Sequence, residues 1–435
     1  MNNRLYSLDV FRGATVCLMI LVNNPGSWSH IYAPLKHAPW HGLTPTDLVF
    51  PFFLFAVGNA LAMVMPRFEQ GTPAQFWKKL LKRTALIFLI GLFLNWWPFV
   101  VQAGQWVATA GANGSGEIQK GLIFKGFTWI DWVKNDAGNI ESVERGVRIF
   151  GVLQRIALTY FFAALIAYYL KGARAFYAAA LLLLGYWALC LLGNPADPYS
   201  LQGWFGTDID KAIIGAVHMY KGEGIVFDPE GIMSTIPAIA QVLFGFFVGN
   251  YIRLKGNATS TATKSATEST NTQHSTTNTD AGAGLSGTIS GMLNGLFVAG
   301  VALLLTGFCW DMVMPINKKI WTSSYVVYTT GLAIITIATM MYLIEVKGVK
   351  SWLSRFFDVF GKNALFVFAL SAFLPKGLAL IKLDGANPWN WLYKKVLIHV
   401  PGAPENGSLL YAIAVISFMW LICYWMDKKR IYIKV

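Results

Sequence analysis

Apolar residues run along this chain in blocks long enough to cross a bilayer. A spanning helix needs roughly 20 largely apolar residues. Ten segments reach that length, near residues 8–24, 47–65, 84–101, 149–170, 175–192, 232–252, 289–310, 321–345, 359–377 and 408–426. The pattern predicts an all-α fold, a polytopic transmembrane helix bundle of about ten spans. The first span is long enough only if its polar amino-terminal stretch is included. Arg4 and Arg12 precede its apolar run, as in a signal peptide, but Asn23, Asn24 and Pro25 follow it instead of a small-x-small cleavage site. An uncleaved first helix is therefore expected.

The polar segments between these blocks divide into two kinds. Arg67, Lys78, Lys79, Lys82 and Arg83 lie between spans two and three, and Lys171 and Arg174 between four and five. Lys347, Lys350 and Arg355 lie between eight and nine, and residues 428–430 follow ten. Lysine and arginine close to helix ends mark cytoplasmic loops, so with ten spans both termini are expected in the cytoplasm. The longer segments 25–46, 102–148 and 193–231 then face outward, and they are rich in Trp, Gly, Asp and Asn, as binding loops are. A Ser/Thr/Asn-rich tract cannot bury a core, so residues 253–288 are expected to form a disordered cytoplasmic linker. It would separate a first half of six spans (1–252) from a second half of four (289–435).

Composition agrees with the pattern. Of 435 residues 55% are hydrophobic and 13% charged, and mean hydropathy is +0.48, which excludes an ordinary soluble domain. The formal charge of +13 follows from the positive loops and calls for no nucleic-acid partner. Cys17, Cys190, Cys309 and Cys423 lie far apart in apolar runs, without C-x-x-C spacing, and are read as small core residues; no metal site is expected.

Candidate chemistry concentrates in residues 36–47, Lys-His-Ala-Pro-Trp-His-Gly-Leu-Thr-Pro-Thr-Asp. His37 and His41 sit beside a membrane-entering helix, where an imidazole is the natural proton carrier near neutral pH; alternatively both are interfacial histidines without a chemical role. Thr44, Pro45 and Asp47 make a helix-capping arrangement, and Asp47 could also orient His37. Asp228, Pro229 and Glu230 suit the start of span six in the same way, or their carboxylates hold a cationic or polyhydroxylated acceptor in an outer vestibule. Arg155 lies inside an apolar helix, where a cation requires a partner or a polar cavity, such as a bound cofactor. Asp9 and Arg12 have ion-pair spacing, and Arg12 could instead hold a nucleotide. No P-loop, dinucleotide fingerprint, nucleophile elbow or zinc spacing occurs, so helices must hold any cofactor.

Six blocks together resemble the heparan-alpha-glucosaminide N-acetyltransferase family, including bacterial members without its large luminal domain. They are residues 4–13, 36–51, 151–156 (Gly-Val-Leu-Gln-Arg-Ile), 227–231, 317–325 and 361–365, and they fall along the whole chain. The resemblance implies a helical bundle in a bacterial inner membrane that takes acetyl-CoA from the cytoplasm and delivers acetyl to an amino sugar outside. It implies His37 as the active histidine and Asn23 as the asparagine near the end of span one. Arg155, Arg12 and Gln154 are expected near acetyl-CoA; Asp228, Glu230, Asp47 and Trp40 are expected near the acceptor. No role carries over to His41. Family members associate, so a homodimer is an expectation too. With the Ser/Thr tract and no luminal domain, glucosamine or another glycan amino sugar is a better acceptor than heparan. The rival reading is a secondary transporter of an amino sugar, with the intramembrane polar residues as its path; a transporter has no reason to bind CoA.

Overall fold

The computed structural model describes residues 6–108, 116–135, 137–270, 279–381 and 387–433. Its long helices are α1 (Tyr6–Asn23), α2 (Val49–Glu69), α3 (Pro73–Trp96), α4 (Val152–Leu170) and α5 (Gly172–Gly193). After the short α6 (Gly206–Ile214) come α7 (Ile232–Thr270), α8 (Thr279–Asp311) and α9 (Ser323–Met341). The chain closes with α10 (Trp352–Lys362), α11 (Ala364–Leu378), α12 (Pro388–Lys395) and α13 (Pro404–Lys428). The centre of the expected linker, residues 271–278, lies outside the described residues, as do Arg4 and Leu5 of the first family block.

The protein is a polytopic helix bundle. Among the described residues eight helices are long and apolar enough to cross a membrane, or nine if α10 and α11, which meet at 78°, form one broken span. The remaining expected span is α3. Lys78, Lys79, Lys82 and Arg83 occupy its first half, which leaves an apolar stretch shorter than a bilayer needs.

The segment expected as a plain loop at 102–148 instead forms two antiparallel hairpins. β1 (Val100–Ala108) pairs with β2 (Gly116–Phe124), and β3 (Thr128–Lys134) with β4 (Ile140–Gly146). Asp131 Oδ1 accepts the Gly104 amide at 2.9 Å, tying the hairpins together.

Lipid tails are as apolar as leucine, so helices in a membrane associate through close packing and small residues. A Cβ on Gly245 of α7 would lie 2.1 Å from the Phe55 carbonyl of α2, and one on Gly58 of α2 would lie 2.0 Å from the Val242 carbonyl of α7. The two backbones touch, and this pair forms the centre of the core. Gly13 and Gly361 bring α1 and α10 together likewise. The apolar windows of α5 and α8 are only 28% buried, with Leu181, Leu192, Val298 and Leu305 exposed, so these helices form the lipid-facing rim.

Candidate functional site

The segments expected to face outward meet at one end of the bundle, where 193–231 touches both 25–46 and the end of 102–148 and also the loop before α9. Trp40 donates its indole N–H to the Tyr199 carbonyl at 2.8 Å, Lys319 pairs with Glu223 at 2.5 Å, and Arg148 reaches Asp228. Beneath them is a cavity of about 160 Å³ whose walls come from α1, α2, α4 and α11 and from three loops. Met19, Phe53, Ile156 and Phe368 make its apolar part, while Asn23, His37, Thr46, Glu230 and Lys318 supply the polar groups.

His37 reaches this cavity because its loop is pinned at three points. Thr44 Oγ1 donates to the Lys36 carbonyl at 2.7 Å, and Thr46 Oγ1 to the Pro34 carbonyl at 3.3 Å. Gly42 adopts φ +99°, a left-handed conformation that suits glycine, and its N–H donates to the Ile316 carbonyl at 2.8 Å. Asp47 makes contacts in both directions considered for it. One oxygen, Oδ2, accepts the Thr44 amide at 3.1 Å and the Ala38 amide at 3.0 Å and lies 2.9 Å from the Thr44 hydroxyl oxygen. The other, Oδ1, lies 2.7 Å from His37 Nδ1. The Asp47 side chain is 2% exposed and that of His37 43%, so the carboxylate is the buried anchor and the imidazole the reachable group. A carboxylate only accepts, which puts a proton on Nδ1; in the neutral tautomer the lone pair is then on Nε2.

Lys318 was not singled out from the sequence, although it lies within one of the family blocks. Its Nζ is 3.0 Å from His37 Nδ1 and 3.3 Å from Asp47 Oδ1. The turn that carries it is closed by Asn317, whose Oδ1 accepts the Lys319 and Ile320 amides at 2.7 and 3.1 Å and whose own N–H donates to Thr322 Oγ1 at 3.0 Å. Burial pulls the Lys318 ammonium below its ordinary value, with Asp47 and Glu230 opposing. His41 stands on the other side of this turn, its Nδ1 3.4 Å from Asn317 Nδ2, and burial lowers it too, against Asp311 and Asp197.

The two acidic residues before α7 differ in what they can do. Asp228 is fully buried and its oxygens are engaged by Arg148 at 2.5 and 3.0 Å, by the Tyr220 amide at 3.2 Å and by the Glu230 amide at 3.0 Å. Glu230 also pairs with Arg148 but lines the cavity. Burial opposes its charge, yet Arg148, Arg155 and Lys318 outweigh that and hold the carboxyl below its usual range. The amides that open α7 are not capped by Asp228. Those of Ile232 and Met233 donate to Asp210 Oδ1 on α6 at 3.0 and 3.4 Å, a residue that sequence reading passed over.

Arg155 is completely buried, and its charge is met by carbonyls and rings. It donates to the Pro229 carbonyl and Ser234 Oγ and lies 5.0 Å from the Trp321 ring centroid. Like Gln154, which is packed against Gly91, it is not part of the cavity wall. Arg12 pairs with Asp9 at 2.8 Å and donates from Nε to the Gly361 carbonyl at 2.8 Å. At 1.5 Å per residue it lies roughly 16 Å along α1 from Asn23. Trp40 packs edge-on against Phe227 at 5.6 Å and joins the His37 loop to residues 193–231. The arrangement therefore brings Asn23, His37, Asp47, Glu230 and Lys318 together and leaves Arg12, Gln154, Arg155, Asp228 and Trp40 around or away from that centre.

Comparison with known proteins adds to this geometry. A family model described as heparan-alpha-glucosaminide N-acetyltransferase, catalytic, matches residues 4–110. The heparan-alpha-glucosaminide N-acetyltransferase of Homo sapiens is 24% identical over 484 aligned positions, covering 99% of this chain and 60% of the human protein. That of Mus musculus is 23% identical, covering 100% and 61%. The chain spans about 60% of the length of these curated relatives.

Proposed function

We propose that this chain, which belongs to the heparan-alpha-glucosaminide N-acetyltransferase family, is a transmembrane acetyltransferase that moves acetyl from cytoplasmic acetyl-CoA to the amine of a glucosamine-type sugar on the far side of a membrane. The observation that carries this reading is the His37–Asp47 pair at 2.7 Å on the wall of a cavity inside a helix bundle. An imidazole whose Nδ1 is held by a buried carboxylate presents Nε2 as a base or nucleophile, the arrangement that serves acyl transfer in hydrolases.

The chemistry follows from the lining. The apolar part of the cavity suits the acyl end of a thioester arm, and the polar groups gather where the thioester carbonyl would meet the amine. Glu230 supplies negative charge for a sugar ammonium. The ammonium loses one proton to solvent before it reacts, and Nε2 of His37 takes the second as the amine attacks; in the direct route the C–N bond forms, the C–S bond breaks and that proton passes to the CoA sulfur. In the carrier route the C–Nε2 bond forms as C–S breaks and the thiolate leaves, and the C–Nε2 bond then breaks as the amine takes the acetyl group, its proton going to the freed imidazole and from there balancing the thiolate. Asn23 donates from its amide to the thioester oxygen as negative charge builds there. Arg155 holds the Pro229 carbonyl and so fixes the loop that presents Glu230.

The test uses protein reconstituted in vesicles, with acetyl-CoA on one side and glucosamine on the other. Acetylglucosamine should form on the sugar side only when acetyl-CoA is present opposite. Uptake of unmodified glucosamine with no dependence on CoA would replace this reading by transport.

A further inference from the structure

Three charged or titratable groups converge at one point: His37 Nδ1, Asp47 Oδ1 and Lys318 Nζ lie within 2.7 to 3.3 Å of one another. Two of them explain a histidine that binds and orients. The third is unexpected, because an ammonium next to an imidazole is unfavourable as soon as that imidazole gains a proton.

We infer that Lys318 is a positioning residue whose ammonium compensates the charge of Asp47, so that His37 enters the reaction as neutral imidazole. The inference rests on the acetyltransferase reading for its catalytic meaning, but its physical content concerns only the protonation of His37.

The proton between Nδ1 and Oδ1 belongs to the ring, because the carboxylate can only accept. Lys318 cannot donate to that nitrogen while the proton is there. Its charge instead pairs with Oδ1, 3.3 Å away, the oxygen that holds the ring proton. With Lys318 present the trio is neutral overall when the ring is neutral. Without Lys318, Asp47 would stand alone against the ring and favour the imidazolium, since an opposite charge within about 4–6 Å stabilises the charged form. An imidazolium has no lone pair at Nε2 and can be neither base nor acetyl carrier.

Among the described residues that line the cavity Lys318 is the one ammonium, and its neighbour Lys319 is paired with Glu223 at 2.5 Å. From the loop before α7, Glu230 lines the same cavity with Arg148 paired to it, and a carboxylate there also favours a charged ring. Arg155 is spent on the Pro229 carbonyl and Ser234. The contributions of α1, α4 and α11 to the cavity wall are uncharged: Met19, Val22, Asn23, Val152, Ile156 and Phe368. The lysine is held in place by the Asn317 turn, which accounts for that turn being built so tightly around its backbone amides.

The experiment reads His37 directly. Diethyl pyrocarbonate modifies neutral imidazole, and His37 is exposed enough to meet it. Modification rates of the His37 peptide are measured by mass spectrometry from pH 5 to 9 in detergent for wild type, Lys318→Met and Lys318→Arg. The expected result is a midpoint that moves up by at least about half a pH unit in Lys318→Met and stays near wild type in Lys318→Arg. A midpoint that stays put or moves down in Lys318→Met overturns the inference; if Lys318→Met does not fold, equal midpoints in Lys318→Gln and wild type do the same. CoA release from the same preparations is scored separately. Release that depends on His37, combined with an unmoved midpoint, sinks the role of Lys318 and leaves the acetyltransferase standing; a moved midpoint without any release does the reverse.

Discussion

His37 Nδ1 lies 2.7 Å from Asp47 Oδ1, and the second oxygen of the same carboxylate accepts from Thr44 and Ala38 in the loop that carries the histidine. One buried side chain thus fixes both the backbone of the loop and the tautomer of the ring. The dual attachment separates what can be changed at this position.

Asp47→Asn keeps the size of the side chain and an acceptor for the loop amides, but its amide can donate to Nδ1 and so favours the wrong tautomer. Turnover should fall by at least about 100-fold, since the same exchange in a serine-hydrolase triad costs about 10⁴. Steady-state CoA release checks this, with thermal unfolding in detergent to show that the protein is folded. Turnover within a few-fold of wild type would mean that Asp47 is a cap and nothing more.

Glu230→Gln removes the charge offered to an acceptor ammonium, while Asp228 still holds Arg148. A hydrogen bond to a charged group is worth about 1.5–3 kcal/mol, so KM for glucosamine should rise roughly tenfold or more. The dissociation constant of acetyl-CoA, measured by calorimetry, should not move. A rise in both constants alike would point to general damage of the site.

Asp210 gives a pH dependence of definite sign. Burial is the largest influence on its carboxyl and pushes it up to about 6, against the helping amides of Met233 and Ile232. A carboxyl raised in the folded state favours the protonated form there, so its contribution to stability is fully present below the unfolded value near 3.9. That contribution disappears as pH rises through about 6. Thermal midpoints in detergent should therefore drop between pH 5 and 7.5 in the wild type, and less so in Asp210→Asn. Identical pH profiles would remove Asp210 as the cause.

Gly245→Ala tests the helix contact at the centre of the core. The added methyl meets the Phe55 carbonyl at 2.1 Å, and neither backbone can yield without moving a helix. Overpacking of this kind costs about 1–3 kcal/mol. The half-life of the solubilised protein at elevated temperature should shorten, whereas Gly185→Ala on α5, where a methyl meets nothing within 4 Å, should leave it unchanged.

Much of this molecule can be read from the order of its residues, and the exceptions share a cause. Spans such as α2 and α9 are legible because uninterrupted apolar length is a local property. α3 falls short on length and composition because its lysines lie inside the helix instead of before it. The hairpins escape a sequence reading even though Thr128–Lys134 holds the strand-favouring Trp129, Ile130, Trp132 and Val133, since an outward loop between spans raises no expectation of strands. His37 could be found from its place beside a helix start, and Arg155 from being a charge in an apolar run; its actual partners, the carbonyl of Pro229 and Ser234, could not. Lys318 was invisible as a site residue because its meaning comes from contact with a histidine 281 positions away. Asp210 caps a helix from a different element, and capping rules look only to the residues adjacent in sequence.

The most direct test of the central claim is CoA release from acetyl-CoA by purified, detergent-solubilised protein, with and without glucosamine, in wild type and His37→Ala. The account predicts release that depends on glucosamine and falls by at least about 100-fold in His37→Ala while acetyl-CoA still binds. Equal release by the two proteins, or a wild type that neither binds acetyl-CoA nor releases CoA, would contradict it.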